Sequence, residues 1–597
     1  MSQLGPGSFR YFISVDFGTH GSGFAYSAAS DGYEVKTFQY WPGQRGQPAP
    51  KTRTALMYHL SDTSTPLAWG WEAVGQYTDL PEEQRPHFIL LKDFKLHLMP
   101  EDFKELQPLP SGLSVRKLVG DFLRCLMELV NSTLTAHYGS RQAEHGLESI
   151  LMYRPSMARF CLTVPAGLSQ SSMVTMREAA LDADIVPTLN SPALMLATEP
   201  EAAALIVQQR SHLTGLGSGV RRFMVIDMGG GTVDMTLHKS EAALQGGDLV
   251  LTEVTHRECL PEGATCVDAR FLEHLAGQLG GDTYADWASD PANAGDLLDF
   301  KYMEWEACKC SFGGSNNAAA PVQVSVPYSL VYSADDSTRD RLEEVGNRML
   351  LPHDVMASFF KPSLEAIAAK AKDMLARAGG ADTVVLVGGF SGSKHAICYL
   401  RGKLEAPGRP LVAPAYARSA VLEGGVWYAR YPAAIAARCS SMSYGVRAAT
   451  RWQPGAPSRV GGRGVWLPHK QGYRCIEGFH QYVAKDELVK AGSSITKSFR
   501  PLYPEQTSVV FDIYGSLQKA AKYTTEESMV KIASVRIDIP PDSYKDPDDY
   551  ALSANFSFGE AQITVRCVDE QTGNEQRCTL LFDSSELCRE QLADLSM

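Results

Sequence analysis

The chain has no lysine and arginine block that could follow a nucleic-acid backbone, and its formal net charge of -12 opposes such a partner. No run approaches the ~18 consecutive apolar residues of a membrane-spanning helix. Twelve cysteines are scattered over 597 residues without a single Cys-x-x-Cys pair, and the closest two, Cys308 and Cys310, have no histidine cluster beside them. Metal fingers and disulfide scaffolds are thereby disfavoured, and reduced thiols in a reducing compartment are expected. The phosphate loop Gly-x-x-x-x-Gly-Lys-Ser/Thr is absent, as is the dinucleotide fingerprint Gly-x-Gly-x-x-Gly.

What is there suits a large globular protein. The length exceeds what one hydrophobic core organises, so two to four domains are expected. Tyr11 to Val15 reads as a strand that begins almost at the first residue, which leaves no room for a cleaved leader. Ala593 to Met597 carries no lipidation or retention motif. The expected location is the cytoplasm or the nucleus, with no membrane span and no nucleic-acid partner.

Up to about residue 430 the pattern alternates between apolar strands and helical stretches. Ser114 to Leu134, Met173 to Asp182, Pro200 to Gln209, Asp296 to Phe312 and Leu350 to Arg377 read as helices. Phe160 to Val164, ended by Pro165, and Thr383 to Val387 read as buried strands. This alternation predicts an α/β architecture. After about residue 435, short alternating runs separated by Gly, Pro and Asp turns predict an all-β region. Ser508 to Tyr514, Ile563 to Val568 and Cys578 to Phe582 are its clearest strands, the last two joined by a turn over 569–574. About a dozen residues follow, enough for one short helix and not for a helical bundle.

Two segments share one plan. Phe12-Ile13-Ser14-Val15-Asp16-Phe17-Gly18-Thr19 continues into Phe24-Ala25-Tyr26, and Phe223 to Asp227, followed by Met228-Gly229-Gly230-Gly231-Thr232-Val233-Asp234, continues into Met235-Thr236-Leu237. Each is an apolar strand, a terminal Asp, a glycine turn with Thr, and a returning strand. Glycine, lacking Cβ, lets such a turn approach phosphate oxygens and aim N–H groups at them. Thr adds a hydroxyl donor. The carboxylate is placed to hold Mg²⁺ through water, because Mg²⁺ dehydrates reluctantly. One copy alone is equally a tight hairpin, but two copies about two hundred residues apart point to a polyphosphate gripped from both sides. A third segment, Val384-Val385-Leu386-Val387-Gly388-Gly389-Phe390-Ser391, is a strand running into a glycine pair that can lie flat against a nucleoside.

These three segments, in this order, resemble the signature of the actin, hexokinase and 70-kDa heat-shock ATPase superfamily. Thr198-Glu199-Pro200-Glu201-Ala202-Ala203-Ala204 and Leu162-Thr163-Val164-Pro165-Ala166 resemble segments of the heat-shock branch, and the hairpin Ile563 to Leu581 resembles part of its substrate-binding β-sandwich. Trp41-Pro42-Gly43, Phe94-Lys95 and Gly388-Gly389-Phe390 are most similar to the divergent member-12 subfamily. The resemblance covers nearly the whole chain and is patchier beyond residue 430. It implies two actin-like lobes (duplicated ribonuclease H-like domains) over 8–432, a linker over 433–440, a smaller all-β sandwich over 441–585 and a short tail over 586–597.

The resemblance also implies ATP and ADP as ligands, Mg²⁺ as cofactor, slow hydrolysis of ATP, and protein clients or signalling partners. Asp16 and Asp227 would order Mg²⁺ and its waters. Gly18, Thr19, His20, Gly229, Gly230, Gly231 and Thr232 would line the phosphates. Lys95, Glu199, Asp227 and Asp234 would form the catalytic set around the attacking water. Glu306 and Lys309 would hold the adenosine, opposite Gly388 and Gly389. Read without the resemblance, Lys95 is equally a surface lysine, Glu199 a helix-start residue, Asp234 a turn cap, and Glu306 with Lys309 an i, i+3 pair on a solvated face.

Several positions depart from the family pattern. His20 replaces a second Thr in the first hairpin. Cys310 replaces an Arg that stacks on adenine, a loss worth ~1 kcal/mol of base affinity. Met173 stands near a relay Arg, and Pro432 to Arg438 replaces an acidic, Leu-rich linker. Peptide clamping and allostery are therefore less expected than nucleotide binding. Two other functions stay open from the residues: a nucleotide-sensing scaffold with little hydrolysis, and a metabolite kinase.

Overall fold

A computed structural model describes all residues except 1–8, 45–47, 100–107, 140–152, 169, 190, 212–220, 243–248, 314–320, 458–463, 542, 560–561 and 582–597. The short helix expected in the tail lies outside the described residues. The chain forms two compact units: one from Met1–Ala166, Val174–Ser240 and Glu258–Pro432, the other from Gly167–Met173, Glu241–Arg257 and Ala433–Met597.

In the first unit one local topology occurs twice. Strand Tyr11–Asp16, buried throughout, pairs antiparallel with Gly21–Ala28 and parallel with Ala158–Val164, so that Asp16 lies opposite Gly23 and Thr163. Its sheet runs in the order Lys36–Thr37, Gly21–Ala28, Tyr11–Asp16, Ala158–Val164, Leu194–Thr198. Strand Arg221–Met228 pairs antiparallel with Val233–Ala242 and parallel with Thr383–Val387, so that Asp227 lies opposite Asp234 and Val387. Asp16 thus ends a central strand and Asp227 lies one residue before the end of another, each next to its own return strand on one side and a parallel strand on the other. Continuous Val, Ile, Phe and Met runs suit such strands, which bury both faces.

Helix Glu199–Gln209 follows directly on the strand Leu194–Thr198. Its start is a capping box in which Glu201 reaches back to the Thr198 N–H at 3.3 Å. Glu201, and not Glu199, therefore closes the helix end. Helix Ala420–Arg430 crosses this helix at very short range. A Cβ on Gly424 would lie 1.6 Å from the Ala202 carbonyl oxygen, and one on Gly425 2.1 Å from Ser14 Oγ. Only glycine permits that approach, which holds the first hairpin's strand against the helix that begins at Glu199.

Three helical expectations shift in detail. Val115–Gly139 is a single helix, longer than the pattern suggested. The stretch expected over Asp296 to Phe312 is three consecutive pieces: Ala294–Asp299, a π-helical turn at Phe300–Trp305, and Glu306–Ser311. The wide turn lets Trp305 stack on Phe271 with ring centroids 3.7 Å apart. The helix expected from Leu350 begins at His353, because Arg348–Leu351 pairs with Val322–Ser325 as a strand and Pro352 separates the two.

The second unit contains two antiparallel sheets. One runs Val465–Leu467, Gly472–Val483, Ser443–Arg451, Ser508–Ser516, Met529–Asp538; the other runs Ser494–Phe499, Leu552–Phe558, Gln562–Asp569, Glu575–Leu581. Tyr444, Val446, Phe511 and Ile513 of the first sheet share one buried core with Ala554, Phe556 and Val565 of the second. The turn expected over 569–574 is present, with Gly573 at φ +74° and the Asp569 carboxylate accepting the N–H groups of Gln571 and Thr572. Residues expected as linker behave differently. Ile435–Cys439 is a strand, parallel to Leu249–Glu253 and antiparallel to Leu488–Lys490, with Ile435, Ala437 and Cys439 buried. Ile435, Ala437 and Cys439 suit the buried side of a sheet, where an acidic linker would not. Among the described residues no helix is long and apolar enough to cross a membrane.

Candidate functional site

The first unit holds a cleft of about 420 Å³, within the size range of ligand sites. Its lining draws on both hairpins: Asp16, Gly18, Thr19 and His20 from the first, Asp227, Gly229, Gly230, Gly231 and Thr232 from the second. Lys95, Glu199, Glu306, Lys309, Gly388 and Gly389 line it as well. Segments separated by up to several hundred residues of sequence therefore converge on one cavity. Of the residues expected to bind or act on the nucleotide, Asp234 alone is not in the lining and sits behind Thr232.

Each turn is tied down from outside. In the first, the Gly18 N–H donates to Ser22 Oγ at 3.2 Å and the Thr54 hydroxyl to the Gly18 carbonyl at 2.7 Å. In the second, the Gly229 N–H donates to the Thr232 carbonyl at 2.9 Å. The N-terminus of helix Ala264–Leu279 caps this turn, with Ala264 N–H on the Gly229 carbonyl and Thr265 N–H and Oγ1 both 3.0 Å from the Gly230 carbonyl. The turns also abut each other. A Cβ on Gly230 would lie 2.7 Å from His20 Nδ1, and one on Gly231 3.1 Å from Thr19 Oγ1. His20, the departure in the first hairpin, thus rests on the second, with Nδ1 3.8 Å from Asp93 Oδ1.

The acidic residues form a buried group. Asp227 is held well above the usual carboxylate range by burial and by the nearby Glu199 and Asp234, with Lys51 acting the other way. Asp234 is pushed up to about 6 by burial and by Glu199, against hydrogen bonds from Cys259, Thr232 and the Ala166 N–H. The Thr232 hydroxyl lies 3.0 Å from Asp234 Oδ2 and the Ala166 N–H 3.2 Å from Oδ1. Lys95, read from the sequence as equally a surface lysine, is 3% exposed and donates to Glu199 Oε1 at 2.7 Å. Gly388, at φ +86°, comes so close that a Cβ there would lie 2.3 Å from Asp227 Oδ1.

Glu306 and Lys309 do not form a solvated pair. Lys309 is buried and lies 2.6 Å from Glu306 and 2.8 Å from Asp268, which also accepts the Trp305 indole N–H at 2.6 Å. Burial lowers the Lys309 pKa, but Asp268 and Glu306 more than offset this, so the ammonium stays charged. Cys310 lies on the same wall with its thiol 3.3 Å from Glu306 Oε1, and burial pushes the thiol up to about 11. Met173 is buried in the helix Gln170–Asp182 and does not line the cleft.

Four charged or aromatic lining residues carry no motif and escaped the sequence reading. Lys51 forms an ion pair with Asp16. Arg53 is sandwiched by aromatic rings, its guanidinium 4.5 Å from the Trp71 ring and 4.4 Å from the Tyr302 ring. Trp71 also lines the cleft, and Arg418 supplies a further cation on the wall that carries Cys310. The one signal available for Lys51 and Arg53 was the polar, charged segment Pro50 to Thr54 shortly after the first hairpin. With Lys51, Arg53, Lys95, Lys309 and Arg418 around two glycine turns, the cleft suits a polyanionic ligand.

No protein-family model matches the chain. The chain is similar along almost its entire length to heat shock 70 kDa protein 12B of Homo sapiens, 26% identical over 668 residues that cover 97% of this chain and 92% of that protein. Heat shock 70 kDa protein 12A of Homo sapiens is 24% identical, covering 96% and 92%. A shorter match, 28% identical over 236 residues, covers 38% of this chain and 32% of a ribosome-associated molecular chaperone of Saccharomyces cerevisiae.

Proposed function

The chain is a relative of the 70-kDa heat-shock proteins of the member-12 kind, and from that premise we propose that it binds ATP and ADP in the cleft of its first unit and hydrolyses ATP slowly. The observation that carries this reading is the meeting of both Asp-Gly-Thr hairpins, the Lys95–Glu199 pair and the Gly388 turn in a single cavity. The repeated strand-and-hairpin topology supports two actin-like lobes within 8–432. The two sheets around one core support a β-sandwich within 441–585, while within 433–440 the strand Ile435–Cys439 pairs with Leu249–Glu253 and Leu488–Lys490 outside both of those sheets.

In this reading the turns at Gly18–His20 and Gly229–Thr232 cradle the phosphates, and Glu306, Lys309 and the Gly388–Gly389 turn hold the nucleoside. Lys95 offsets charge on the transferring phosphoryl, and Glu199 with Asp234 orients the attacking water. Burial and the neighbouring Glu199 raise the proton affinity of both Asp227 and Asp234. Mg²⁺, when bound, would screen phosphate charge and act as a Lewis acid. The residues fit it unevenly. Asp227 is a buried carboxyl that a cation would stabilise, whereas Asp16 is already paired with Lys51. Among the described residues no group of three or more His, Cys, Asp or Glu side chains is arranged to hold a metal by itself.

Calorimetric titration with ADP and ATP, for the wild type and Asp227→Ala, tests the binding claim; binding of neither nucleotide by the wild type refutes it. ATP turnover compared with Lys95→Ala tests the catalytic claim, which fails if the two rates are equal. A second reading, a nucleotide-sensing scaffold for protein partners, is favoured by Cys310 at the base wall and by the paired Asp16. It predicts nucleotide binding with no turnover above the Lys95→Ala background, and fast turnover stimulated by unfolded peptide counts against it. The cytoplasm or nucleus remains the proposed location.

A further inference from the structure

We propose that the Lys51 ammonium is a built-in cation of the first phosphate turn, standing on Asp16 where a metal-dependent site would use Mg²⁺, so that nucleotide binds this cleft without needing the metal. The inference rests on the nucleotide reading above and specifies its charge balance.

Lys51 is fixed in place by the backbone. Strand Thr52–Arg53 pairs antiparallel with the return strand of the hairpin, Gly21 opposite Arg53 and Ser22 opposite Thr52. The Thr54 N–H donates to the His20 carbonyl at 3.2 Å, and the Trp71 N–H to Thr52 Oγ1 at 3.1 Å. These contacts lock the 50–54 segment beside the turn. The hairpin's glycines then leave a track for the lysine stem. A Cβ on Gly21 would lie 3.4 Å from Lys51 Cβ, one on Gly23 3.3 Å from Lys51 Cγ, and one on Gly18 3.8 Å from Lys51 Nζ. The stem therefore runs over Gly21 and Gly23, and the ammonium ends at Gly18, in the mouth of the turn. Alanine at 23 would also strike the Pro50 carbonyl at 2.3 Å. The glycines of this hairpin thus serve a resident side chain as well as a ligand.

The electrostatic setting is that of a metal position. Lys51 forms its ion pair with Asp16, whose side chain is 2% exposed, and also feels the charges of Glu199 and Asp227. It also lines the cleft, so its charge is presented to whatever the turns at Gly18 and Gly230 hold. A tethered cation gives up the bidentate coordination of a metal, yet it costs no binding entropy and needs no free ion. Asp16 is then a holder for Lys51 more than a ligand of metal-bound water.

The test is calorimetric titration of ADP into the full-length chain, once in excess Mg²⁺ and once in excess EDTA, for wild type, Lys51→Met and Lys51→Arg. Wild-type affinity in EDTA is expected within about tenfold of that in Mg²⁺, a difference of one free charge interaction. Lys51→Met is expected to lose at least about tenfold in EDTA and to recover most of it in Mg²⁺, because Asp16 becomes free for the metal. Lys51→Arg keeps the cation and should keep the metal independence, which separates loss of charge from loss of fold. Wild-type ADP binding that disappears in EDTA, or Lys51→Met binding that matches wild type in EDTA, overturns the proposal and leaves the nucleotide reading intact. Absence of ADP binding in both buffers overturns the nucleotide reading and this inference with it.

Discussion

Replacing Lys95 by Met should destabilise the first unit by about 3–5 kcal/mol at pH 7, the range for stripping one partner from a buried ion pair. The structure sets this magnitude. Lys95 Nζ and Glu199 Oε1 are 2.7 Å apart, with side chains only 4% and 13% exposed. At an effective dielectric near 20, their attraction is about 6 kcal/mol, of which desolvation consumes a large part. The loss is compounded because Glu199 is the strongest charged neighbour raising both Asp227 and Asp234. Without Lys95, Glu199 faces these carboxyls unscreened. Glu199→Gln should cost less, because it removes the charge that crowds Asp227 and Asp234 even as it strands Lys95. The double variant Lys95→Met/Glu199→Gln should cost at least about 2 kcal/mol less than the sum of the two singles, as expected for directly paired groups. Urea unfolding of the full chain followed by tryptophan fluorescence is a suitable assay, because six of the eight tryptophans lie in the first unit. Additivity of the two substitutions within ~0.5 kcal/mol would refute the buried pair.

Gly388→Ala should cost about 2–4 kcal/mol, since alanine pays for φ +86° and its Cβ strikes Asp227 Oδ1 at 2.3 Å and the Met228 carbonyl at 2.5 Å. Gly389→Ala, where nothing lies within 4 Å of the new Cβ, should cost under about 1 kcal/mol in the same urea unfolding assay. Asp234 has its pKa raised from 3.8 to about 6 in the fold, so the folded state holds this proton more tightly than the unfolded chain. The stability it contributes is fully present below pH ~3.8 and is lost as pH rises through ~6, up to about 3 kcal/mol by pH 7. Unfolding at pH 5.5 and pH 7.5 should therefore show the wild type losing stability at the higher pH and Asp234→Asn losing less; an unchanged pH dependence in the variant contradicts the assignment.

Much of the fold was written locally. An apolar run ending in Asp before Gly and Thr specifies a strand and a turn from consecutive residues, and both hairpins form with their aspartates at strand ends. The strand at Thr383–Val387 likewise follows from a β-branched Thr and four apolar residues, and the helix at Glu199 from a capping box. Where the sequence misled, a non-local partner decided. Leu350 and Leu351 fit a helical pattern, but pairing with Val322–Ser325 made them a strand. Ile435–Cys439 stands where a connector was expected and became a strand by the same means.

The site divides in the same way. Asp16, Asp227, Gly229 and Gly388 were legible because a backbone requirement — a sharp turn, a positive φ, an Asp at a strand end — restricts residue type at that very position. The ion pairs were not legible. Lys309 could be matched with Glu306 three residues away, but its second partner, Asp268, lies on another helix. Lys51 belongs to no motif and stands thirty-five positions beyond Asp16 in the chain. Composition and order thus determined that two glycine hairpins, an apolar strand with a glycine pair and a β-rich region exist here. Only the tertiary structure decided which charges meet in the cleft, because charge pairing depends on strand register and helix packing between distant segments and leaves no periodicity in the chain itself.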